Sequence, residues 1–90
     1  MAVKPTLDQA ATLALKALAY LTNFEPELQR FLELSGAGAE TLPRRANEPE
    51  FLVSVLDFLL SDEALLVRFC DETSVDARTV HLARLVLEGA

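Results

Sequence analysis

The stretch FLVSVLDFLL, residues 51–60, restricts the fold of this chain more than any other. Set at 100° intervals, Leu52, Val55, Leu56 and Leu59 form a central apolar stripe. Phe51 and Phe58 widen it on one flank, and Val53 and Leu60 on the other. The polar residues Glu50, Ser54, Asp57 and Ser61 follow one another at spacings of 4, 3 and 4 and share one narrow line. A helix built this way is apolar over roughly 220° of its circumference, against the ~100° that facing a single core requires. It needs cover on two sides.

A membrane is one possible cover, and magnitudes argue against it. The twelve Leu, Val and Phe residues of 51–70 favour insertion by ~6 kcal/mol in all. Asp57, Asp62 and Glu63 lie near the middle, and at ~3 kcal/mol each they oppose it by ~9 kcal/mol. The segment therefore reads as two helices broken near Ser61, the first nearly enclosed by protein.

The remaining chain reads as helix as well. No useful length alternates with period two, and β-branched residues are few, so strands are not expected. Thr6 and Gln9 form a capping box for a helix to about Thr22. Pro26 opens a second, which Gly36 closes as a left-handed cap. A short helix runs from Gly38 or Ala39 to about Ala46, and Asn47 and Glu50 flank Pro49 as a cap, beginning a helix to about Leu60. Ser61 or Asp62 caps a fifth to about Glu72, and Asp76 a sixth to about Leu87. The expected fold class is all-α, about six short helices in a single domain over 1–90.

Shifted by 38 residues, 12–46 lies over 50–84 without a gap. Eight positions are identical: Leu18/Leu56, Leu21/Leu59, Glu25/Glu63, Leu28/Leu66, Arg30/Arg68, Phe31/Phe69, Ala39/Ala77 and Thr41/Thr79. Arg30–Glu33 and Arg68–Asp71 repeat an i, i+3 charge pair. The expectation is two tandem three-helix units, an internal duplication, with helix-turn-helix-like elements around Gly36 and Ser74.

The motifs LALKALAYLT, PELQRFLELSG and FLVSVLDFLLSDEALLVRF resemble the domain-of-unknown-function family 3572, short proteins typical of alphaproteobacteria. The resemblance spans nearly the whole chain and implies a small all-helical protein. It brings no catalytic residue, cofactor or partner with it.

Charge and residue type narrow the function. The net charge is −6, which disfavours nucleic acid and anionic membrane. Segment 50–84 holds three basic and seven acidic residues, and 12–46 holds four of each. The only candidate phosphate contacts are Arg44 and Arg45, or Arg78, His81 and Arg84. Cys70 and His81 invite a nucleophile–base reading. Cys70, however, takes the place of Leu32 on an apolar stripe, and His81 is the single histidine. Asp57 lies on the polar line and aligns with Ala19, which argues against a buried acid. Asp62, Glu63, Asp71 and Glu72 lack calcium-loop spacing and read as a solvated face. No catalytic residue, metal site, cofactor or small-molecule ligand is indicated, and the chain is not expected to be an enzyme.

A lone cysteine and an opening MAVKPTLDQ without an apolar run point to the cytoplasm. By elimination, the expected role is a protein–protein interaction module or homo-oligomer, with a helix-turn-helix nucleic-acid binder as the alternative. Positions polar in the first segment but apolar in the second mark the candidate partner surface: Thr22/Leu60, Glu27/Leu65 and Gln29/Val67. Leu60, Leu65 and Val67 are its residues.

Overall fold

The helix ends follow the chemistry of their caps. The computed structural model describes residues 4–36 and 38–90. It contains α1 (Leu7–Leu21), α2 (Glu25–Ser35), a 3-10 turn (Ala39–Thr41), α3 (Leu42–Arg45), α4 (Pro49–Leu60), α5 (Glu63–Thr73) and α6 (Ala77–Glu88). No strand occurs among the described residues, so the fold is all-α. Thr6 Oγ1 accepts from Gln9 N at 3.1 Å while Thr6 N donates to Gln9 Oε1 at 2.9 Å, closing the capping box of α1. Asp62 accepts from Leu65 N and Asp76 from Arg78 N, capping α5 and α6. At α4 the expectation for Asn47 is corrected. Glu48 is the cap residue and its side chain makes no capping bond. Pro49 opens the helix without an N–H, which removes one donor that a cap would otherwise have to satisfy.

Helix α4 is covered on two sides, as its wide apolar surface demands. It packs against α1 and α6, and those two also pack on each other, closing a three-helix core. Phe51, Leu52, Val55, Leu56, Phe58 and Leu59 of α4 are all buried there. Helix α1 contributes small residues, Ala10, Ala14 and Ala17, which let its backbone come close. Helix α6 contributes Val80, Ala83 and Leu87. Outside this core, α2 lies against α4 and α1, and α5 against α4 and α6. The radius of gyration of 12.1 Å matches the ~12 Å of one compact domain of this length.

The 38-residue offset also relates local geometry. Helices α2 and α5 share boundaries when shifted by 38. Gly36 and Ser74, 38 apart, both take left-handed conformations, with φ of 72° and 58°. Ser74 is the one non-glycine residue with positive φ among the described residues. Two edge-on ring contacts are related in the same way. Phe31 meets Phe58 with centroids 5.5 Å apart, and Phe69 meets Tyr20, also at 5.5 Å.

The third elements differ. Helix α3 has four residues and none of them is buried, whereas α6 has twelve. Pro43 lies in the first turn of α3, Pro49 soon follows it, and Leu42 is its one apolar residue packed against the core. Helix α6 alone therefore fills the space between α1 and α4.

The i, i+3 charge pairs are corrected too. Arg30 pairs with Asp62 at 3.0 Å and lies 5.3 Å from the centre of the Phe58 ring. Arg68 lies 4.7 Å from the centre of the Phe24 ring. Positions 24 and 62 are again 38 apart, so each arginine reaches the same place in the other segment. An aromatic face in a partly dry setting outweighs an exposed pair on the same helix, which is worth only ~0.3–0.5 kcal/mol.

Because Leu56 is fully enclosed, Leu56→Ala is expected to cost ~2–5 kcal/mol in urea denaturation. Val67→Ala, at an exposed position of α5, is expected to stay within ~0.5 kcal/mol of wild type in the same experiment.

Candidate functional site

The polar line of α4 and the last turns of α2 enclose an open groove of about 300 Å³. Its floor is Phe31 and Phe58, both buried and in edge-on contact. Leu34 and Ser35 form one wall, and Ser54, Asp57 and Ser61 the other. Leu34 is 73% exposed, more than any other large apolar side chain described. Helix α2 points it outward because Phe31 and Leu32 already take the inward positions of that turn.

The groove is bordered by ion pairs. Arg84 of α6 donates to Asp57 from Nε and Nη2, and from Nη1 to Glu88 at 2.8 Å. The hydrogen bond to Asp57 raises the guanidinium pKa further, holding the charge in place. Arg84 is thereby removed from the cations that the helix-turn-helix reading counted. Arg45 is also engaged, over the Phe51 ring at 5.0 Å and beside Glu48 at 3.4 Å. Arg44, Arg78 and His81 are exposed.

The three expected partner residues separate. Leu65 is 3% exposed and belongs to the core, which corrects its assignment to a partner surface. Helix α5 turns the Leu65–Phe69 edge inward, so Leu66 and Cys70 are only partly buried. Val67 lies about 200° around the helix from Leu65 and is 51% exposed. Leu60 is half-buried and packs against the core. Of the three, only Val67 is left in water. Leu34 shows the converse difference in the sequence: it is apolar in the first segment where the second has Glu72.

Other reactive groups gather no site. Cys70 is half-buried; burial, then Asp76 and Asp71, push its thiol pKa up, away from nucleophile behaviour. Among the described residues no group of three or more His, Cys, Asp and Glu is placed to hold a metal ion. The Tyr20 hydroxyl is buried with no hydrogen-bond partner among the described residues. Burial first, and neighbouring Glu72 next, raise its pKa.

These features define a small all-α protein with a bordered, open surface groove. The chain belongs to the family described as "Protein of unknown function (DUF3572)", whose model matches residues 7–90. No curated protein matches it. No solved structure matches it either. Among the described residues, no helix is long and apolar enough to cross a membrane.

The phenol of Tyr20 makes a pH prediction. Its pKa is raised on folding, so its contribution to stability is complete below pH ~10 and is lost as pH climbs through the higher folded value. Tyr20→Phe, which installs the residue found at position 58, removes that pH dependence. It is also expected to be neutral or stabilising by ~1 kcal/mol at pH 7, because an unpaired buried hydroxyl disappears. Thermal melts of both proteins from pH 7 to 11 check this: the alkaline fall should be shallower in the variant, Cys70 supplying part of what remains.

Proposed function

We propose that this protein is a non-catalytic helical module that binds another protein chain, docking it in the groove between α2 and α4. The observation that carries the reading is Leu34, 73% exposed beside a groove floored by two phenylalanines. Single exposed leucines are ordinary. One standing at the lip of an apolar depression is the arrangement in which a partner's side chain gains burial on both sides. A cytoplasmic setting and an origin of the two segments by duplication belong to the same proposal. The latter is supported by the ring contacts and left-handed residues that recur 38 positions apart.

The test is affinity capture from the native host's lysate with wild type and Leu34→Glu side by side. A specific partner is expected to be lost in the variant, while the thermal melt stays near that of wild type because the position is exposed. Capture indifferent to Leu34→Glu would remove the groove from consideration. Sedimentation of the purified chain tells self-association from binding a different protein.

Nucleic acid is the second reading, favoured by the turn at Ser74 between α5 and α6. Against it, Arg84 is held by two carboxylates, and Arg78 is the one α6 arginine without an ion pair among the described residues. Fluorescence anisotropy with duplex DNA at physiological salt is expected to show no binding. Micromolar, steeply salt-dependent binding would reverse the order of the two readings.

A further inference from the structure

The polar groups on the α4 side of the groove share one chemical character. Ser54 Oγ donates to Glu50 O at 3.1 Å, and Ser61 Oγ donates to Phe58 O at 2.8 Å. A serine hydroxyl has one proton, so with that proton turned back to its own helix it offers the groove only lone pairs. The Asp57 carboxylate, each of whose oxygens already accepts from Arg84, adds its remaining lone pairs to the same wall. The surrounding charge agrees. Arg84 is divided between Asp57 and Glu88, and Arg30 is matched by Asp62. Glu50, one turn before Ser54, has no ion-pair partner among the described residues. The whole chain carries −6.

The corresponding face of the other segment is built differently. Thirty-eight residues away, Lys16 stands for Ser54, Tyr20 for Phe58 and Glu72 for Leu34. There the Tyr20 hydroxyl is buried beside Glu72 and Arg68. On that face Glu72 and Arg68 flank a phenol; on this one Arg30 lies over a ring without a hydroxyl, and Leu34 stands where the other has a carboxylate. At about 300 Å³ the groove is at the low end of the ~300–1,000 Å³ of ligand pockets. Being open, it suits a side chain from a facing surface better than an enclosed small molecule.

We propose that the groove receives a segment of a protein partner carrying one apolar side chain flanked by lysine or arginine, an inference that rests on the docking reading above. The apolar side chain packs between Leu34, Phe31 and Phe58. The neighbouring ammonium or guanidinium donates to the acceptors of Ser54, Asp57 and Ser61. An Asp or Glu at the same place would set acceptor against acceptor, a mismatch that selects against acidic partners.

A random peptide library displayed on phage, panned on the full chain and counter-selected on Leu34→Glu, tests this. Peptides that depend on the groove are expected to carry an apolar residue with Lys or Arg within one helical turn. Synthetic representatives should shift the amide resonances of residues 31–35 and 54–61. Their affinity should fall about fivefold with Asp57→Asn, the scale of an exposed charge contact, and hold with Asp71→Asn on α5. Groove-dependent peptides with neutral or acidic flanks overturn the inference and leave docking standing. Equal loss with Asp57→Asn and Asp71→Asn overturns it as well, since diffuse attraction then explains the basic residues. A selection with no groove-dependent peptide also overturns it; docking itself falls only when lysate capture ignores Leu34→Glu too.

Discussion

The structure depends on the excess apolar surface of α4. A helix that is apolar over more than half its circumference cannot sit at an edge. Burial of each large side chain stabilises by roughly 1.5–3 kcal/mol, and α4 has six buried apolar residues to satisfy. Two helices must flank it, and α1 and α6 do so. Their own contact then closes the core, with the alanines of α1 setting how near the backbones come. The short α3 follows from the same arrangement: once α6 occupies the space between α1 and α4, no third helix from the first segment is needed there.

The outer helices are held by fewer and more specific contacts. Each docks one phenylalanine edge-on against a ring from the other segment, Phe31 on Phe58 and Phe69 on Tyr20. Each also lays an arginine over an aromatic face, Arg30 on Phe58 and Arg68 on Phe24. These rings lock the angles of α2 and α5, since edge-on pairs hold geometry better than aliphatic contacts do. The position of α2 in turn decides where Leu34 stands, and so makes the groove. Packing and the candidate site are thus one arrangement. Phe58 and Ser54 line the groove, where the other segment has Tyr20 and Lys16.

Much of this was legible in local chemistry. The capping box at Thr6, the caps at Asp62 and Asp76 and the left-handed stop at Gly36 need only neighbouring residues, so short-range patterns reveal them. The demand that α4 be covered twice is readable from angular spacing alone. Leu65 and Leu34 were not legible in this way. Apolar periodicity says that α5 has a buried stripe, but Leu65–Phe69 and Leu66–Cys70 are adjacent edges of it, separated by 100°. A rotation of that size is chosen by the surface the helix lands on. Leu34 differs from its counterpart Glu72 in the sequence, but its place beside a groove is set by Phe31 packing against Phe51 and Phe58.

The sequence by itself determined the all-α class, the ends of α1, α2, α5 and α6 and the enclosure of α4, because hydrogen-bonding caps and 3.6-residue periodicity act over a few residues. Only the tertiary structure decided which arginines bind which carboxylates. Arg30 reaches Asp62 across 32 positions and Arg84 reaches Asp57 across 27, distances along the chain at which spacing has no bearing on proximity. The groove belongs to the same category. Its floor, walls and acceptor-rich rim come from two helices that sequence pattern describes separately, and their relative placement is a property of the packed core.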